Sequence, residues 1–248
     1  MTIPIVSAQD RLAEQGRQWQ RKPVLRAIYH DLYRRMASLC VPGLTLEVGG
    51  GSGGFKSFAP DVISSDIVIE PWLDVVADAQ SLPFSDGSFS NIVMFDVLHH
   101  IEFPRLFFSE AQRTLRVGGR IVMVEPAITP VSWPFYHFIH EEPVRTTADP
   151  LAIGHPDPGR HAFDANQAIP SLIVGRRRKA FNEAFPNLSI VGEEWLSLFA
   201  YPLSGGFKAW SLLPARWVTP MIKLENRLAP VLGKLLGFRL LFTVEKRA

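Results

Sequence analysis

Along the first forty residues apolar side chains return every three or four positions. Leu12, Trp19, Val24, Leu25, Ile28, Leu32, Met36 and Leu39 alternate with charged neighbours. That period predicts helix over residues 7–40, with a break at Pro23. Pro42-Gly43 ends the helical pattern, and the chain then turns to short continuous apolar runs. Residues 44–48, 62–66, 74–77, 92–95 and 120–124 are too short for helices and rich in branched side chains, so each reads as a buried strand. A helix is predicted over residues 104–115, with Leu106, Phe107, Ala111 and Leu115 on one face and Gly118-Gly119 closing it. Strands separated by helices predict a mostly parallel sheet covered on both faces.

Beyond Glu125 the periodicity weakens, because 13 of the 20 prolines and four of the six tryptophans lie there. Residues 128–185 read as an irregular insertion that ends in a helix over 171–185. Strands follow at 188–191 and 239–245. Between them, residues 195–237 are apolar and aromatic, punctuated by Lys208, Arg216, Lys223, Arg227 and Lys234. That segment reads as extra core over a sheet edge, as a lid over a hydrophobic acceptor, or as a contact with anionic lipid.

Length and composition narrow the class. At 248 residues, 47% of them hydrophobic and 20% charged, with mean hydropathy +0.09, the chain fits one globular domain. Its parts are 1–42 (N-terminal helices), 43–127 (core), 128–186 (insertion and helix) and 187–248 (the last two strands with their insertion). A net charge of +2 falls far short of the basic stripe of a nucleic-acid binder, so no nucleic-acid partner is expected. The run Arg176-Arg177-Arg178-Lys179 reads as a solvated helix start. Cys40 is the single cysteine, which excludes an internal disulfide or a cysteine-rich zinc site and fits a reducing cytoplasm. The N-terminus lacks the basic and apolar regions of a secretory signal, and no uncharged run approaches the ~18 apolar residues of a membrane span. The expectation is a cytoplasmic protein, soluble or peripheral to the inner face of the membrane, with its oligomeric state open.

The chemistry concentrates after the first strand, in Leu46-Glu47-Val48-Gly49-Gly50-Gly51-Ser52-Gly53-Gly54. Glycines at this density admit positive φ and let a ligand approach bare backbone at the carboxyl end of a strand. The spacing fits a dinucleotide fingerprint, Gly49-x-Gly51-x-x-Gly54, as well as the methyltransferase pattern Gly49-x-Gly51-x-Gly53. Three acidic features choose between them. Glu47 would repel a pyrophosphate but attract a cationic methionine moiety. Asp66, at the end of the next strand, suits the two hydroxyls of a ribose, a feature NAD sites share, so it supports a nucleoside without naming it. Asp78-Ala79, after the third strand, offers a carboxylate and a backbone amide to an adenine.

These segments resemble the class I S-adenosylmethionine-dependent methyltransferases, and within them the branch of the ubiquinone and menaquinone biosynthesis enzymes. The resemblance runs from about Leu44 to Pro126 and rests on LEVGGGSGG, on DAQSLPFSDGSFSNIVMFDVLHHI at 78–101 and on EAQRTLRVGGRIVMVEP at 110–126. It implies an α/β Rossmann-like sheet of seven strands, mostly parallel, with the last strand antiparallel. It also implies S-adenosyl-L-methionine as cofactor: Glu47, Gly49, Gly51 and Gly53 at the methionine moiety, Asp66 at the ribose, Asp78 and Ala79 at the adenine, and Asp96 near the methionine amino group. The long segment between the last two strands departs from the family's tight hairpin.

Methyl transfer from a sulfonium is one in-line displacement, so alignment is the main requirement, and a base matters only for a nucleophile of high pKa. His99 and His100 follow the fourth strand where such a base would sit. Glu125, Tyr136, His137 and His140 are candidates for an acceptor-side wall. The spacing His137-x-x-His140-Glu141 does not match a zinc signature, and no metal is expected. The leading expectation is O- or C-methylation of a small or lipid-like acceptor. A sugar or glycan precursor, NAD-dependent oxidoreduction and a non-catalytic cofactor-binding domain are the alternatives.

Overall fold

The computed structural model describes residues 7–248. The first six, on which part of the reading of a missing secretory signal falls, lie outside the described residues. Seven strands form one sheet: β1 (Thr45–Val48), β2 (Ile63–Asp66), β3 (Val75–Val76), β4 (Phe89–Phe95), β5 (Leu115–Pro126), β6 (Leu188–Leu196) and β7 (Arg239–Lys246). Their order is β3-β2-β1-β4-β5-β7-β6; β1 to β5 pair in parallel, and β7 runs antiparallel to both β5 and β6. This is the seven-stranded, mostly parallel α/β arrangement the motifs imply. After β3 the chain returns to the other side of β1, which opens a crevice at the carboxyl ends of β1 and β4.

Helices cover both faces: α1 (Ala8–Arg21), α2 (Pro23–Leu39), α3 (Gly54–Phe58), a 3₁₀ turn at Leu98–His100, α4 (Pro104–Thr114), α5 (Ser132–Phe138), α6 (Ile169–Val174), α7 (Arg178–Ala184), α8 (Ala200–Ser204) and α9 (Ala215–Leu236). Alternate residues of each strand serve opposite faces, as the period of two requires. Ile121 and Met123 of β5 join the core containing Phe107, Phe108 and Phe181, while Val122 and Val124 join the core of Leu25, Ile28, Met36 and Ile222.

Three boundaries differ from the sequence expectation. The helix before β5 ends at Thr114, and Gly118-Gly119 belongs to the strand instead of closing the helix. Gly118 takes φ +76° where the register between β4 and β5 slips, so the pair accommodates a bulge. The helix expected over 171–185 is split into α6 and α7 by Gly175, and the basic run straddles the split, with Arg178 starting α7. β6 continues through Trp195 to Leu196, held by pairing with β7, so the insertion begins two residues later than the apolar pattern suggested.

The N-terminal helices are tied to that insertion by a buried cation. Lys22, at the junction of α1 and α2, donates from Nζ to the carbonyl oxygens of Ser204, Gly206, Lys208 and Trp210 at 2.7, 2.7, 2.7 and 2.9 Å. Removing the ammonium would strand buried acceptors. Lys22→Met is expected to lower stability by about 2–4 kcal/mol, read as a fall in the denaturation midpoint. An unchanged midpoint would mean that water replaces the ammonium without cost.

Candidate active site

The glycine loop is shaped by close packing at the crevice. The N–H groups of Gly49 and Gly50 both donate to Ser65 O, at 2.8 and 2.9 Å, which turns the chain sharply off β1. Gly49 takes φ +77°, and a Cβ there would overlap the Val97 side chain, so only glycine fits. Gly51, at φ +48°, borders the open cavity and donates its N–H to Asp66 Oδ2 at 2.8 Å. Gly53 is turned away from the cavity, against Trp72.

Three carboxylates line the same edge. Glu47 is only 5% exposed; Ser64 Oγ donates to its Oε2 at 2.6 Å, yet burial pushes its pKa up to about 7. Asp66 is also raised by burial, against the hydrogen bonds it accepts from Val68 and Gly51. Asp78 accepts the Gln80 N–H at 2.8 Å beside Ala79. The cavity they border measures about 540 Å³, within the range of a small-ligand site. Desolvated carboxylates with no cation against them suit a positively charged ligand bearing hydroxyls.

The opposite end of the cavity is built from paired charges. Asp96 follows β4 with φ +58°, a left-handed conformation that aspartate tolerates. Its carboxylate pairs with Arg239, whose guanidinium lies 4.0 Å from the Tyr201 ring centroid. Burial raises the Asp96 pKa while the Arg239 charge opposes the rise. Alongside, His99 bridges two acids: Nδ1 is 2.7 Å from Glu125 Oε2, and Nε2 is 3.4 Å from Glu142 Oε2. Burial alone would depress His99, but the two carboxylates hold it up to about 10, so the ring is an imidazolium at neutral pH. In return Glu142 is drawn down to about 2 by His99 despite its burial. His100 is neutral, pushed down to about 3 by burial and by the neighbouring imidazolium.

Of the residues singled out in the sequence, Glu47, Gly49, Gly51, Asp66, Asp78, Ala79, Asp96, His99, His100, Tyr136 and His140 all border this one cavity. Two acceptor-side candidates do not. Glu125 lies fully buried beneath it, with Oε1 accepting the N–H groups of Val97 and Leu98 and Oε2 taken by His99. It therefore orients the 3₁₀ turn instead of forming a wall. His137 points to the other side of α5, stacked on Trp133 with ring centroids 4.8 Å apart. The sequence reading passed over Arg239, Tyr201 and the α1 residues Arg11, Leu12 and Gln15, all of which line the cavity; Glu142, which ends the segment it offered as an acceptor-side wall, lines it too. The one available signal was Arg239 itself, a charge heading an otherwise apolar strand.

Residues 46–123 match the family model described as a methyltransferase domain. That segment is a methyltransferase domain. No curated protein matches the chain in sequence. Among solved structures, a SAM-dependent methyltransferase from Thermotoga maritima is similar at 14% identity, over 97% of this chain and 99% of that one, with a TM-score of 0.58. A SAM-dependent methyltransferase from Archaeoglobus fulgidus aligns at 15% identity over 90% and 94% of the two chains, TM-score 0.52. The partner of the Trm112 methyltransferase activator from Haloferax volcanii aligns at 15% over 97% and 96%, TM-score 0.53. At these identities the likeness is one of fold.

Two expectations follow for the methyltransferase domain. Glu47 binds its proton more tightly folded than unfolded, so its contribution is full below about pH 4.5 and is lost as pH rises through about 7. Glu47→Gln should therefore be more stable than the parent at pH 8, by up to ~3 kcal/mol, with the gap closing near pH 5. Equal midpoints at both pH values would show that Glu47 is solvated. For His99, both ring nitrogens should give protonated ¹⁵N shifts at pH 7.5, and Glu125→Gln should bring its titration down toward neutrality. A neutral ring at pH 7.5 in the parent would contradict the double clamp.

Proposed function

We propose that the cavity binds S-adenosyl-L-methionine and that the protein transfers its methyl group to a small or lipid-like acceptor, at oxygen or carbon. The observation that carries this reading is the row Glu47, Asp66 and Asp78 along one edge of a cavity opened by positive-φ glycines. The residues fit the group: a desolvated carboxylate for the methionine ammonium, Asp66 for the ribose diol, and Asp78 with the Ala79 amide for the adenine. When bound, the cofactor supplies an electrophilic methyl on a sulfonium. A diphosphate in the same place would meet Glu47, which disfavours a dinucleotide.

The chain's own residues have two tasks in such a reaction. The first is to align the acceptor, which the aromatic wall of Tyr29, Phe95, Tyr136, Tyr201 and Phe207 suits if the acceptor is apolar. The second arises when the nucleophile carries a proton. His99 is already protonated, so it serves as a positioning residue between Glu125 and Glu142. Gln167 and His99 both approach Glu142 Oε2 while Oε1 faces neutral His100, and a carboxylate drawn down to about 2 is too weak a base for the acceptor's proton, so an acceptor that must lose one releases it to water. Asp96 is held by Arg239, so it would reach the methionine amino group as one half of an ion pair. Cys40, half-buried with its thiol pushed up to about 11 by burial, is an inert thiol in keeping with a cytoplasmic setting.

Calorimetry tests the reading without knowledge of the acceptor. S-adenosylhomocysteine should bind and NADH should not. Asp66→Ala should weaken the former by roughly 10- to 150-fold, the loss of charged hydrogen bonds to a diol. Tight NADH binding, or unchanged affinity in the variant, would overturn the assignment.

A further inference from the structure

Helix α9 buries one side against α2 and β6 and turns the other outward. On the outer side Trp217, Leu224, Val231 and Leu235 are 54, 48, 83 and 48% exposed. Their spacing of seven, seven and four residues places them on one line along the helix. Arg216, Lys223, Arg227 and Lys234 form a second line beside it, again at helical spacing. Lys234 lies 4.0 Å from Glu193, and the other three have no ion-pair partner among the described residues. The helix's one carboxylate, Glu225, is buried, where it accepts the N–H groups of Phe199 and Ala200. The outer face of α9 thus carries an apolar row and a cationic row with no acid between them.

This face continues toward the cavity. Val131 N–H donates to Leu235 O at 3.2 Å, which joins the end of α9 to the start of α5. α5 places Tyr136 at the cavity wall while Phe138 and Ile139, at its end, are 73 and 59% exposed.

We propose that the outer face of α9, continued by Phe138 and Ile139, docks the protein on an anionic phospholipid surface. Charge complementarity selects that occupant: apolar side chains beside a row of cations, three of the four without an acidic partner among the described residues, match the interface of an anionic bilayer. A second copy of this chain meeting the face symmetrically would set the same cationic row against itself. No helix among the described residues is long and apolar enough to cross a membrane, so the contact is peripheral. The docking stands apart from the methyl-transfer reading. Its use, bringing an apolar acceptor to the aromatic end of the cavity, rests on that reading.

The full chain should co-sediment with vesicles of phosphatidylcholine and phosphatidylglycerol, more weakly with pure phosphatidylcholine, and less as salt rises. The triple variant Arg216→Ser, Lys223→Ser, Arg227→Ser should lose roughly five-fold in partition per cation, about 100-fold in all. Val231→Asp, a surface change that leaves folding intact, should also reduce binding. S-adenosylhomocysteine affinity, measured on the same samples, should be unchanged in both variants. Failure of the parent to bind anionic vesicles would overturn the docking. So would equal binding by parent and triple variant, or a dimer broken by Val231→Asp in a protein that ignores vesicles. Vesicle binding with no S-adenosylhomocysteine binding would instead remove the methyl-transfer reading and leave the docking in place.

Discussion

Charged groups buried at the carboxyl ends of β1, β4 and β5 have to be compensated within the fold, and the way each is compensated gives the cavity its character. An isolated ion in such surroundings would cost several kcal/mol, so partners are supplied at close range. Arg239 answers Asp96 across the start of β7. Glu125 satisfies two backbone N–H groups and one face of His99, and Glu142 takes the other face. Glu47 is the exception: among the described residues one serine hydroxyl is its only side-chain donor, and its pKa rises to about 7. The uncompensated carboxylate sits where a cationic ligand would complete it, a local cost to stability of the kind that binding sites retain.

The same compensation changes what the two histidines can do. From sequence they are an equivalent pair after a strand. In the fold, Glu125 and Glu142 hold His99 as a cation, and that charge in turn keeps His100 neutral. Two adjacent imidazoles are driven apart in protonation, one by two glutamates and the other by burial beside the resulting cation, so neither is a base near pH 7. A residue-type argument could not have separated them, because the separation comes from acids 26 and 43 positions away in the chain.

Legibility in the sequence follows the distance over which each feature is determined. The strands were readable because parallel strands covered on both faces are continuous apolar runs, and the glycine loop because a left-handed turn packed against Val97 leaves no room for a Cβ at Gly49. Glu47, Asp66 and Asp78 were readable because each sits at or just past the end of a strand, so a strand boundary is enough to place its side chain at the crevice. Gly118-Gly119 misled because two glycines serve a bulge as well as a helix end, and only pairing with β4 decides. His137 misled because helical phase, not proximity in sequence, decides which side of α5 faces the cavity. Tyr201 and the α1 residues stayed hidden because they meet the site only through the packing of α1, α2 and α8, fastened by Lys22, and Arg239 because only the pairing of β7 with β5 brings it beside Asp96.

The boundary of the family match coincides with a division inside the cavity. Residues 46–123 contain the acids Glu47, Asp66 and Asp78 of one edge, together with Asp96, His99 and His100. Tyr136, His140, Glu142, Phe163, Tyr201 and Arg239, which meet Asp96, His99 and His100 at the other end, all lie outside it. The first set is carried on strand ends and the turns that follow them, whose positions the sheet dictates. Most of the second comes from segments inserted after β5 and after β6, which the sheet leaves free to vary. One end of the site is therefore constrained by topology and the other by packing. The inserted segments also present Phe138, Ile139 and the apolar and cationic rows of α9 to the outside.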